Sequence, residues 1–238
     1  MATFILIHGA WHGGWSFERL VPLLTAAGHE VIAPDLPGIG TDTTPTGPDP
    51  LAEWAQFVAG LASSATAPVI LVGHSRAGAV ISEAAELAPD SIDTLVYLTA
   101  FLLLPGQSLA DVANAHPDVG PMHAFVPADD PAWIDLDREL ATPVFYNLTA
   151  DEDARAAAKR LVPEPQASFT THLRITPERF GRVPRVYIEA AHDRAISLEM
   201  QREMQAALPC EKVVTLQSDH SPFYSTVPEL AQALLDLA

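Results

Sequence analysis

Pro68-Val69-Ile70-Leu71-Val72-Gly73-His74-Ser75-Arg76-Ala77-Gly78 decides how the rest of the chain is read. Its first half is a continuous apolar run, the pattern of a parallel strand buried on both faces. Its second half opens an Ala-rich stretch, Arg76 to Leu87, that predicts a helix ending near Pro89. A serine held in so tight a strand-to-helix turn has its Oγ pushed clear of the sheet, and only small residues fit beside it. Gly73 supplies the small residue before Ser75. The position two after it is Ala77 rather than glycine, with Gly78 behind it; alanine is small enough for close approach of helix and strand. The alternative, a serine that merely N-caps a helix, is outweighed by the flanking strand and helix. Ser75 is therefore the candidate nucleophile.

Outward from this turn the same rhythm repeats. Phe4 to Ile7, Glu30 to Ala33, Thr94 to Leu98, Arg185 to Glu189 and Lys212 to Leu216 predict further strands. Ser16 to Ala27, Leu51 to Ser63, Ser197 to Leu208 and Pro228 to Leu237 predict helices between and after them. Such alternation implies a mostly parallel sheet of about six strands with helices on both faces. The rhythm breaks between about Leu103 and Arg182, where prolines, acidic pairs and short amphipathic pieces show no clear strand. That stretch is too long for an ordinary connection. We read residues 1–102 and 183–238 as the core domain and 103–182 as an inserted helical lid.

A nucleophilic serine needs a base, and the base an orienting acid. In this kind of fold they follow in the order Ser, Asp or Glu, His. His220 lies just past the last strand, in Ser218-Asp219-His220-Ser221-Pro222-Phe223, and Asp193 just past the strand before it. Both would emerge at the C-terminal sheet edge, where open α/β sheets carry their sites. The rivals are weaker: Asp219 adjoins His220 and is badly placed to orient its ring, Glu189 lies within a strand, and His192 reads as a loop residue. His74 packs sideways or bonds the backbone, and His29, His116, His123 and His172 read as surface or lid residues. The oxyanion of acyl transfer needs two backbone N–H donors. Arg76 supplies one, and Ala10, in the glycine-rich loop His8-Gly9-Ala10-Trp11-His12-Gly13-Gly14-Trp15, the other. His8 and His12 lie four apart but lack a helix and a third ligand, so no metal site is expected.

Composition sets the frame. The chain has 238 residues, 48% of them hydrophobic, and a formal net charge of −17. That charge opposes binding to nucleic acid or anionic membrane. One cysteine, Cys210, excludes an intramolecular disulfide and fits a cytoplasmic location. Met1-Ala2-Thr3 lacks a basic segment, the apolar run after it is too short for a signal peptide, and no stretch is long enough for a membrane span.

The chain resembles the α/β-hydrolase superfamily, and within it the branch of plant methyl-ester esterases and hydroxynitrile lyases. The resemblance rests on Phe4 to Trp15, Pro22-Leu23-Leu24, Ala27 to Val31, Asp35-Leu36-Pro37-Gly38, the serine turn, Arg179-Phe180-Gly181, Arg185 to Ile188, Asp193 to Ile196 and Ser218 to Phe223. It implies an α/β-hydrolase fold, a Ser75–His220–Asp193 triad and oxyanion donors at Ala10 and Arg76. The lyases of this branch carry a threonine after the first-strand histidine and a lysine just after the catalytic histidine; here those positions are Gly9 and Ser221. Ester hydrolysis is thus the expectation, with no cofactor and a small-molecule ester as partner; a homodimer is compatible with it. A pocket for a small to medium apolar or aromatic group is expected from Trp11, Phe101, Met122, Phe125, Trp133, Phe145 and Leu148. A thioesterase, lactonase or polyketide-type cyclase would use the same triad, and a non-catalytic ligand receptor could be built on the same fold.

Overall fold

The computed structural model describes all 238 residues. Along the chain it runs β1 (Thr3–Ile7), α1 (Val21–Ala26), β2 (Glu30–Ile32), α2 (Pro50–Ser64), β3 (Val69–His74), α3 (Ala77–Leu87) and β4 (Thr94–Leu98). Then come α4 (Leu109–Ala115), β5 (Phe125–Pro127), β6 (Trp133–Leu136), α5 (Arg138–Phe145), α6 (Asp151–Ala158), β7 (Glu164–Pro165) and α7 (Ala167–Thr170). The chain closes with β8 (Arg185–Ala190), α8 (Leu198–Ala207), β9 (Lys212–Leu216), α9 (Pro222–Ser225) and α10 (Val227–Leu235).

Six strands form one sheet in the order β2-β1-β3-β4-β8-β9, every pairing parallel. The apolar runs explain its two covered faces. In β1 and β3 alternate side chains point to opposite sides of the pleat. Ile5, Ile7, Val69 and Leu71 join the core that includes Trp54 and Val58 of α2 and Ile81 of α3. Phe4, Leu6, Ile70 and Val72 join the core shared with Leu24 of α1 and Leu230 and Leu234 of α10. α2 starts where Asp49 accepts a hydrogen bond from the Ala52 N–H, and α8 where Ser197 does the same for Met200. No helix is long and apolar enough to cross a membrane.

Two expectations need correction. The helix read from Ser16 to Ala27 is split into a 3-10 turn, Gly14–Phe17, and α1. Pro22 is the cause: it lacks an N–H and its ring conflicts with the carbonyl four residues before it, so it sits in the first turn of a new helix. Between 103 and 182 the chain is not purely helical. β5, β6 and β7 form a small antiparallel sheet with β6 in the middle. These strands are two to four residues long, too short for a period to be legible. Pro127 and Pro165 close two of them, at the sheet margins where a missing N–H does no harm.

Candidate active site

The site grows from the end of β3. Ser75 adopts φ +55°, a left-handed conformation rare for a side-chain-bearing residue. Its N–H donates to the Leu98 carbonyl (3.3 Å), and its carbonyl accepts from the Phe101 N–H (3.1 Å). The glycines show why the turn needs small residues. A Cβ at position 73 would lie 2.7 Å from the Ala77 carbonyl oxygen, and one at position 78 would lie 2.2 Å from that of Phe101. Gly78 thus lets α3 press against the segment after β4, while Ala77 fits, fully buried, in place of the usual glycine.

His220 and Asp193 meet Ser75 from two other strand ends. His220 Nε2 lies 3.0 Å from Ser75 Oγ, and His220 Nδ1 lies 2.6 Å from Asp193 Oδ2. The carboxylate can only accept, so Nδ1 carries the proton and Nε2 is free to accept from the serine. Asp193 is held on every side. Its Oδ1 accepts from the Ala195 and Ile196 N–H groups (2.6 and 2.9 Å), and its Oδ2 also accepts from the Thr99 hydroxyl. His74 donates from Nε2 to the His220 carbonyl (2.7 Å). Burial, then the neighbouring His220 and His12, hold its pKa well below the usual value, so it is neutral.

The rivals stand apart. Asp219 turns away from the His220 ring. It accepts from the Leu148, Thr149 and Ser221 N–H groups and from the Thr149 and Ser225 hydroxyls, tying the 148–149 segment to the His220 loop. Glu189 binds Arg202, Gln205 and Thr215. His192 is exposed and meets Gln217. His116 pairs with Glu203, and His172 with Asp111.

Opposite Ser75 lies the loop after β1. The N–H groups of Ala10 and Arg76 donate to no other group of the chain. His8 donates from Nδ1 to the Gly9 carbonyl (2.9 Å) and accepts at Nε2 from the Leu36 N–H (3.1 Å). His12 donates from Nδ1 to the Ala10 carbonyl (2.7 Å) and accepts at Nε2 from the Tyr146 hydroxyl (2.8 Å). Both rings use both nitrogens as neutral imidazoles. Burial lowers their pKa values to about 3 for His8 and about 4 for His12. Gly9 is forced: a Cβ there would lie 2.8 Å from His74 Nδ1 and 2.9 Å from Ser75 Cβ.

A cavity of about 230 Å³ opens over Ser75 and His220. Trp11, Phe101, Met122, Phe125 and Phe145 line it, together with Leu109, Phe169 and Met200, which sequence reasoning missed. Trp133 and Leu148 do not. In β6 it is Ile134 that faces the cavity, so its neighbour Trp133 points to the other side and packs, half-buried, on the main core. Leu148 is 50% exposed. Also unforeseen were Thr99 and Glu164. Thr99 carries only the generic strand-end signal, and Glu164 lies between two prolines in a stretch with no readable period.

The same fold recurs in known proteins. The model of the alpha/beta hydrolase family matches residues 4–233. The chain is 34% identical to a pyrethroid hydrolase of Sphingobium wenxiniae, covering all of this chain and 88% of that one. It is 32% identical to methylesterase 1 of Arabidopsis thaliana, covering 99% and 95%. It spans only between 56% and 63% of the length of three Arabidopsis chloroplastic sequences assigned as methylesterases 15, 11 and 13. A crystal structure of a pyrethroid hydrolase from Sphingobium faniae superposes with a TM-score of 0.86 at 31% identity, covering 99% of this chain and 96% of that one. By sequence and by architecture, this chain belongs to the alpha/beta hydrolase family.

Proposed function

We propose that the protein is a serine hydrolase of carboxylic esters that works through an acyl-enzyme. The observation that carries this reading is the Ser75–His220–Asp193 hydrogen-bond relay at the floor of an apolar cavity. Relatives named as methylesterases and pyrethroid hydrolase support an ester as the substrate. In this reading His220 takes the Ser75 proton as Oγ attacks the carbonyl carbon. The Ala10 and Arg76 N–H groups, which have no other acceptor, hold the oxyanion. Asp193 fixes the imidazole tautomer and stabilises its charged form. His220 then protonates the departing alcohol, and a water that it deprotonates releases the acid.

The cavity supports an apolar or aromatic ester of small to medium size, since Trp11, Phe101, Met122, Phe125 and Phe145 offer hydrocarbon and ring faces. We further propose that residues 103–182, which bring Met122, Phe125, Phe145 and Phe169 to it, act as the lid, and that the protein is cytoplasmic. Burial pushes the Cys210 thiol up to about 11, so it is unreactive at neutral pH. The test is a panel of neutral aryl and alkyl esters, thioesters and lactones, with wild type and Ser75→Ala compared. Wild type should hydrolyse the esters and Ser75→Ala should lose about three or more orders of magnitude in kcat. A fluorophosphonate should add to Ser75. Undiminished turnover by Ser75→Ala, or no adduct, removes the proposal.

A further inference from the structure

The loop that carries Ala10 is tied to the segment around β7 by one buried acid and one backbone hydrogen bond. Glu164 is fully buried. Its Oε2 accepts from the Trp11 N–H (3.2 Å), and its Oε1 lies 2.9 Å from Arg76 Nε. The Ser168 hydroxyl donates to Oε1 as well. Arg76 is itself 1% exposed, with its guanidinium 4.3 Å above the Trp54 ring and Nη2 3.4 Å from the Gly9 carbonyl. One carboxylate thus touches both strands of chain that frame the oxyanion position: the residue after Ala10 and the residue after Ser75.

The consequence follows from peptide geometry. In a trans peptide the C=O and N–H point in opposite directions, so fixing one fixes the other. The Gly9–Ala10 peptide is fixed at its carbonyl by His8 and Arg76. The Ala10–Trp11 peptide is fixed at its carbonyl by His12 and at its N–H by Glu164. The Trp11 carbonyl in turn accepts from the Val162 N–H (2.9 Å). Trp11 needs this restraint, because its φ is +61°, the left-handed region that a bulky residue leaves when it can. Released from Glu164, the Ala10–Trp11 peptide would be held at its carbonyl alone, by His12, and because it shares the Ala10 Cα with the Gly9–Ala10 peptide its turn would be passed to the Ala10 N–H.

We propose that Glu164 is a positioning residue of the oxyanion hole: it holds the Ala10 and Arg76 N–H donors in register and makes their geometry depend on the 103–182 segment being in place. This rests on the reading of Ser75 as nucleophile. It also gives the buried charge a task beyond stability, since a buried ion pair is by itself weak evidence for stability.

The test uses two double variants, because Glu164→Gln alone would strand the buried guanidinium. Arg76→Met/Glu164→Gln removes both charges and keeps an acceptor for the Trp11 N–H. Arg76→Met/Glu164→Met removes the acceptor too, at similar volume. With active sites titrated, the second double should show kcat about 10- to 100-fold below the first with KM within about twofold, since misplacing a catalytic group by about 1 Å costs about that much. Equal kcat in the two folded doubles overturns the proposal. If wild type shows no Ser75-dependent turnover, the functional reading fails, and crystal structures of the two doubles still decide this one. The Ala10–Trp11 peptide should turn in the Met double and stay in the Gln double; an unmoved peptide in both overturns it.

Discussion

Ser75 and Thr99 both hold positive φ, +55° and +37°, and both touch the relay. A β-branched residue rarely accepts that backbone, so Thr99 persists because its surroundings over-determine it. Its N–H donates to the Ile188 carbonyl (2.8 Å) and its hydroxyl to Asp193. Thr99→Val keeps the shape and the branching and removes only the hydroxyl. Asp193 would keep its bonds to His220, Ala195 and Ile196 but lose one of four donors. Removing a hydrogen bond to a charged group costs about 1.5–3 kcal/mol. Steady-state kinetics should therefore show kcat lower by about tenfold with KM little changed; an unchanged kcat would mean that the three remaining donors suffice.

At the scale of the element, the turn from β3 to α3 shows where small residues are needed. The sequence pattern directs attention to Ala77, the departure from glycine. The contacts direct it to Gly78, where α3 meets the Phe101 carbonyl. Gly78→Ala would set a Cβ against backbone that cannot rotate away, and Phe101 N–H holds the Ser75 carbonyl. Overpacking of this kind costs about 1–3 kcal/mol. Urea unfolding should show that loss, and kcat should fall with it because Ser75 moves. Full stability and full activity in Gly78→Ala would show that α3 can slide without cost. The strands of the main sheet were legible because a parallel strand buried on both faces leaves a continuous apolar run. β5, β6 and β7 were not, because each is only two to four residues long, too short for an alternation to be read.

The whole molecule carries three buried neutral histidines beside the relay: His8, His12 and His74. Burial lowers each below its value of 6.5 in an unfolded chain. Between pH 6.5 and about 4 the unfolded state therefore binds protons that the native state refuses. Stability then rises with pH across that window, is complete above 6.5, and is lost on acidification. Each such group adds a slope of about 1.4 kcal/mol per pH unit, so three give about 4. Urea midpoints at pH 7.5, 6.0 and 5.0 should fall steeply. His12→Gln, which leaves two such groups, should flatten the slope by about one proton; an unaltered slope would show that His12 titrates alike in both states.

Sequence alone determined the alternating sheet, the tight turn at Ser75 and the candidates Ser75, Asp193 and His220, because strand ends and chain order are signals readable along the chain. It also pointed to Ala10 through the glycines around it, and to Arg76 as the residue after Ser75. It could not find Glu164, Thr99 or the side of β6 that faces the cavity. Those depend on which distant segments meet: Glu164 reaches Trp11 across 153 residues, and Thr99 reaches Asp193 across 94. Only the tertiary structure decided that a carboxylate in an unpatterned, proline-flanked stretch lies against the residue after Ser75, because a buried charge is placed by its partners and not by its neighbours in sequence.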